Sequence, residues 1–106
     1  MIPYESVLDL IGNTPLVDVS RLSPNPNVRI IAKLENQNPF GSVKDRIAKA
    51  MVEDAEKHGR LMPGQTIVEP SSGNTGIALA AIAQIKGYPI KILMPTSVSI
   101  ERRQML

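Results

Sequence analysis

The hydrophobic pattern of the chain switches three times between a period of two and a period near 3.6, and that alternation predicts its elements. Residues 28–34, VRIIAKL, set apolar Val28, Ile30, Ala32 and Leu34 between Arg29, Ile31 and Lys33, the spacing of a strand. After the loop ENQNPFG, Ser42 precedes a helical pattern in which Val43, Ile47, Ala50, Met51 and Ala55 share one face. Ser42 with Asp45 three residues later fits the S-x-x-D start signal, and Gly59 is the expected stop. Pro63-Gly64 makes a turn before a short buried strand over residues 66–68, which ends at Glu69-Pro70. Beyond the loop SSGNTG, Ile77, Ala78, Ala81, Ile82 and Ile85 recur at helical spacing. Leu79, Ala80 and Ala83 make the other faces apolar as well, so this helix is expected to be interior. Gly87 is its expected C′ residue, Pro89 blocks continuation, and residues 90–94 read as a strand. Ser97 or Ser99 then caps a last helix, expected to be cut off at Leu106.

Strands alternating with helices imply βαβ crossovers and a parallel sheet buried on both faces. The expected fold class is therefore α/β, a three-layer αβα sandwich. Ligands of such sheets bind outside the carboxyl ends of the strands, and SSGNTG lies between a strand end and a helix start. The topology points at that loop.

Composition narrows the function classes. The 106 residues allow one modest core and no second domain. With no Cys and one His, disulfide frameworks and thiolate metal sites are excluded, and no metal is expected. A net charge of +2 is spread without a basic block, and aromatic residues make up 3% of the chain, so stacking platforms for nucleic acid are missing and no nucleic-acid partner is expected. The longest apolar stretch, residues 77–83, falls far short of the ~20 residues that span a bilayer. No membrane association and a cytoplasmic location are expected.

Two features are candidates for chemistry. SSGNTG puts hydroxyls and a carboxamide ahead of helix N–H groups that lack intrahelical partners, which makes an anion cradle. The plainer reading is that Ser71, Ser72, Asn74 and Thr75 merely cap the helix. No phosphate-loop lysine or G-x-G-x-x-G spacing accompanies it, so nucleotide binding has little support. Lys44 stands in the first turn of a helix, where the macrodipole disfavours a cation by roughly 0.3–1 kcal/mol. It is either a solvated lysine paired with Asp45 or Glu35, or a desolvated amine of the kind that attacks carbonyl groups. Sequence pattern alone leaves both open.

Three segments, IGNTPL at 11–16, NPFGSVKDRIA at 38–48 and EPSSGNTGIALA at 69–80, resemble successive motifs of the pyridoxal-phosphate-dependent cysteine synthase and cystathionine β-synthase family. GYPIKILMP and SIERRQML continue the likeness over nearly the whole chain. The resemblance implies the tryptophan synthase β-subunit-like fold, type II among pyridoxal-phosphate enzymes. It also implies that Lys44 carries the cofactor covalently and later removes the substrate α-proton. Asn74 is implied as a hydrogen-bond partner of the cofactor's 3′-oxygen. Ser71, Ser72, Gly73, Asn74 and Thr75 are implied as the cradle of the substrate carboxylate. The activity implied is β-replacement on O-acetylserine or O-phosphoserine with a sulfur donor, forming L-cysteine, in a homodimer.

Ser71 stands where many relatives have Thr, which keeps the hydroxyl. Thr75 stands where dehydratases of the wider fold usually have His, which disfavours dehydration. Family members are about three times as long, so residues 1–106 are expected to be a partial enzyme domain, truncated to an N-terminal third and without the loop that binds the cofactor phosphate. Little activity is expected of the chain alone. A cystathionine β-synthase-like enzyme and a non-catalytic interaction module are the alternatives.

Overall fold

The computed structural model describes residues 1–70 and 73–106, so two of the predicted cradle residues, Ser71 and Ser72, lie outside the described residues. A 3₁₀ turn at Val7–Leu10 opens the chain, with the Ser6 hydroxyl accepting from the Leu8 N–H at 3.1 Å, and it delivers Leu8 into the core. Strand β1 (Leu16–Asp18) pairs antiparallel with β2 (Ile31–Lys33) in the register Leu16 to Lys33 and Asp18 to Ile31. Helix α1 (Lys44–Lys57) follows, then β3 (Ile67–Glu69), helix α2 (Asn74–Lys86) and β4 (Ile90–Ile92). Strands β3 and β4 pair in parallel, Ile67 against Ile90 and Glu69 against Ile92, with α2 as their connection. A short helix α3 (Ile100–Met105) ends the chain.

The α/β class and the parallel β-α-β arrangement agree with the sequence pattern, but the strands are divided differently. Among the described residues they form two two-stranded sheets, since β2 has β1 as its partner and does not share a sheet with β3. Strand β2 is also shorter than the seven-residue alternation. At Ile30 the carbonyl still accepts from the Val19 N–H at 2.9 Å, but the Ile30 N–H donates to the Ser20 hydroxyl, at 2.9 Å, instead of to a strand carbonyl. Leu16, Val17 and Ile31 in this ribbon stay exposed.

The core is a seam between α1 and α2. Leu8, Ala48, Val52, Ala78, Leu79 and Ile82 are buried in one cluster, with Phe40, Ile67, Tyr88 and Ile90 packed against it. Here the expected buried face of α1 is wrong. Val43, Ile47, Ala50 and Met51 are exposed, and the stripe that is buried is Asp45, Ala48 and Val52. The physical reason is shape. Small side chains let two helix backbones approach closely, and Ala48 and Ala78 are both fully buried at this seam. The bulkier stripe is left outside it.

Helix α2 is as apolar as its sequence suggests, with Gly76, Ala78, Leu79, Ile82 and Ala83 buried. It ends at Gly87, whose φ of +83° lets the Tyr88 N–H turn back onto the Ala83 carbonyl at 2.8 Å, the expected glycine stop. No helix among the described residues is long and apolar enough to cross a membrane.

Candidate active site

The two helices that carry the candidate residues are tied together at their C-terminal ends. Glu56 of α1 accepts from Lys86 of α2 at 2.8 Å and from the Tyr88 hydroxyl at 2.6 Å. These bonds hold the Glu56 carboxyl below its usual range and raise the Tyr88 hydroxyl. Lys44 stands twelve residues before Glu56, and Asn74 twelve residues before Lys86, so each helix runs back from this tie by ~18 Å at 1.5 Å per residue. With the shared core between them, the helices run in the same direction, and Lys44 and Asn74 lie at the same end of the pair. Sequence separation gives no hint of this, since the two residues are 30 positions apart.

Lys44 is the first residue of α1, and its N–H donates to the Ser42 hydroxyl at 3.1 Å. The expected capping box is absent: the N-cap is Val43 with no side-chain cap bond, and the Asp45 N–H donates to the Ser42 carbonyl and not to its hydroxyl. Asp45 does not reach back to Ser42, and its Oδ2 accepts from the Phe40 N–H at 2.7 Å. Asp45 is fully buried, its Oδ1 has no hydrogen-bond partner among the described residues, and burial raises its carboxyl above the ordinary value.

The environment of the Lys44 ammonium bears on its two readings. Among the described residues, Lys33, Lys57 and Lys91 are exposed, while Lys44, Lys49 and Lys86 are half-buried. Lys49 donates to the Leu8 carbonyl at 3.2 Å, and Lys86 pairs with Glu56. Lys44 alone of these three half-buried lysines has no side-chain partner among the described residues. Neither proposed counter-ion pairs with it. Asp45 is buried with its Oδ2 on the Phe40 N–H, and Glu35 is occupied by Arg46 and Thr14, whose hydrogen bonds hold its carboxyl down to about 2. A half-buried amine without a partner suits covalent chemistry better than a solvated surface role.

A network that the sequence pattern does not single out is built on Arg46, two residues after this lysine. Arg46 Nε donates to Glu35 Oε1 at 2.5 Å and its Nη2 to Glu35 Oε2 at 3.3 Å, a two-pronged ion pair. The same Nη2 donates to the Thr14 hydroxyl at 3.0 Å, which in turn donates to Glu35 at 2.5 Å. The buried Asn38 accepts from the Gly12 N–H at 2.8 Å and donates to the Glu35 carbonyl at 2.8 Å. Polar residues inside IGNTPL and NPFGSVKDRIA were the available signal, and only contacts across 21 to 32 positions give them meaning.

At α2 the anion cradle is partly described. Asn74 and Thr75 form the first helical positions, Gly73 is the N-cap in extended conformation, and among the described residues no side-chain cap bond is seen at this helix end. Thus Asn74 and Thr75 belong to the helix rather than to a loop before it, and the simple capping reading does not hold for them. Asn74 is exposed and Thr75 is half-buried. Backbone N–H groups of this first turn, with the helix dipole behind them, favour an anion.

Residues 7–106 match the family described as pyridoxal-phosphate dependent enzyme. The chain belongs to this family. A cysteine synthase of Flavobacterium sp. is 52% identical over 103 residues, covering 97% of this chain and 33% of that protein. Cysteine synthase B of Salmonella typhimurium is 57% identical over 93 residues, 88% of this chain and 31% of that protein. Among solved structures, O-acetyl serine sulfhydrylase isoform 3 of Entamoeba histolytica superposes with a TM-score of 0.91 at 42% identity, over 98% of this chain and 32% of that one. The chain spans about a third of the length of these relatives. Their fold is the pyridoxal-phosphate fold expected from the three motifs.

Proposed function

We propose that this chain forms the lysine-bearing part of a pyridoxal-phosphate-dependent cysteine synthase. The observation that carries the reading is the half-buried, unpartnered Lys44 at the same end of the α1–α2 pair as Asn74 and Thr75. The residues present suit the cofactor: a lysine amine free of counter-ions for covalent attachment, and an exposed carboxamide at Asn74 to meet a ring oxygen. Bound pyridoxal phosphate supplies an electron sink for the charge left at the substrate α-carbon.

The chain's own residues would then divide the work. Lys44 would hold the cofactor through Nζ, and the same nitrogen would accept the substrate α-proton. Thr75 and Gly73, with Ser71 and Ser72, receive the substrate carboxylate against the N-terminus of α2. Asn74 fixes the ring oxygen. Loss of the β-substituent as acetate or phosphate and addition of a sulfide then yield L-cysteine, with the proton returned from Lys44. The activated serine and the sulfur donor belong to this proposal, and the name of the Entamoeba relative, an O-acetyl serine sulfhydrylase, supports them. The homodimer and the cytoplasmic location are proposed on the family resemblance alone.

The decisive experiment is borohydride reduction in the presence of pyridoxal phosphate, followed by peptide mapping. The cofactor is expected on Lys44, and Lys44→Ala is expected to abolish the absorbance of the bound cofactor. Attachment at Lys33 or Lys49 would show that the assignment is wrong. Thr75→Val is expected to weaken substrate steps more than cofactor binding. A KM for the amino acid unchanged in that variant would count against the cradle.

A further inference from the structure

Both residues that follow Lys44 are bonded to segments that precede it. Asp45 holds the Phe40 N–H from inside the fold, and Arg46 holds Glu35 and Thr14 from outside. The loop from Glu35 to Arg46 is thereby closed at its neck. Further ties run within it and beyond it: the Gly41 N–H donates to the Asn38 carbonyl at 2.9 Å, and the Asn38 side chain bridges Gly12 and Glu35. Gly12 completes the fit, since a Cβ there would lie 3.0 Å from Arg46 Nη1. The guanidinium lies against the backbone of the segment that it bonds.

We propose that Arg46 and Glu35 are positioning residues for Lys44, fixing the first turn of α1 to the IGNTPL segment so that the Lys44 amine is held in one place. The inference rests on the role of Lys44 given above. Neither residue needs to touch substrate or cofactor. Their effect is exerted through the backbone, and a displacement of about 1 Å in a reacting group can cost ~10²-fold in rate. An Arg suits the position because its planar fork meets both carboxylate oxygens, whereas a Lys presents a single point charge.

The test uses the 106-residue chain and two readouts. Pyridoxal phosphate with borohydride labels accessible lysines, and the ratio of label on Lys44 to label on Lys49 is measured by peptide mapping. Lys49 serves as an internal control because it lies on the same helix and bonds Leu8, outside the network. Arg46→Ala is expected to lower the ratio at least threefold, Arg46→Lys to restore part of it, and Glu35→Gln to fall between wild type and Arg46→Ala. In parallel, amide exchange at Gly12, Phe40 and Lys44 is expected to rise at least tenfold in Arg46→Ala, while the Tyr88 amide at the far end of α2 is unchanged. If Tyr88 protection is lost as well, Arg46→Lys and Glu35→Gln decide the matter by the same two measurements. An unchanged ratio with unchanged exchange would overturn the positioning role. Faster exchange at these amides in a chain whose wild-type form takes no label on Lys44 would instead overturn the role of Lys44, and the proposed function with it.

Discussion

Gly12→Ala tests the packing around Arg46 from the opposite side, because the residue to be changed lies in a different segment. Gly12 has φ of +90°, a region that an L side chain enters only with strain, and the alanine Cβ would meet Arg46 Nη1 at 3.0 Å. The cost has two parts. Backbone strain contributes about 1–3 kcal/mol whatever surrounds the residue. The contact adds to this, because Arg46 can retreat only by loosening its bonds to Glu35 and Thr14. For a domain of this size 1 kcal/mol moves the melting temperature by about 4–8 °C, so strain alone predicts a loss of at least 4 °C. Melting followed by circular dichroism in wild-type and Arg46→Ala backgrounds separates the parts. Gly12→Ala is expected to cost more in the wild-type background than beside Arg46→Ala, where only the strain remains. Equal costs in the two backgrounds would refute the close approach, and a loss under about 0.5 kcal/mol would refute the strain.

Other expectations follow from the core, the titrating groups and the length of the chain. Ile82 is fully buried in the α1–α2 seam, so Ile82→Ala is expected to cost about 2–5 kcal/mol in urea unfolding, and a loss below 1 kcal/mol would contradict the core assignment. Glu35 titrates at about 2 instead of 4.5, held down first by Arg46 and then by Thr14. Its contribution to stability is present above pH 4.5 and lost as the pH falls toward 2, and Glu35→Gln is expected to remove that acid-side loss. Asp45 is shifted the other way by burial, so the stability linked to it is full below the ordinary carboxylate value of 3.8 and declines as the pH rises through its raised value. Asp45→Asn is expected to flatten the stability curve on that rising side, and unfolding curves from pH 2.5 to 7 that coincide for all three proteins would refute both assignments. Residues 1–106 alone are expected to show little or no cysteine formation, because a phosphate needs several converging N–H donors and the N-terminus of α2 is proposed for the substrate carboxylate. Turnover that depends on Lys44, with stoichiometric cofactor binding, would overturn this expectation.

Much of the secondary structure is local, and so the sequence determined it. The change of period marks both long helices. Gly87 stops α2 because only its backbone is free to turn left-handed there, whereas at the start of α1 the N-cap is Val43 and the Ser42 hydroxyl only accepts the Lys44 N–H two residues on. The three motifs likewise identified Lys44 and the start of α2 as the places to look. Tertiary structure decided what distance along the chain conceals. Which face of α1 is buried depends on the partner helix, and the alanines at the seam excluded the bulkier stripe that amphipathic spacing favours. The pairing of β2 with β1 was hidden because strands of three residues carry too short an alternation to specify a neighbour. The surroundings of Lys44 depend on what Asp45 and Glu35 bond to, and Glu35 finds its partners 11 and 21 positions away. Hydrogen-bonding groups are satisfied by whatever the fold brings within about 3 Å, and the residue pattern along the chain does not encode that choice.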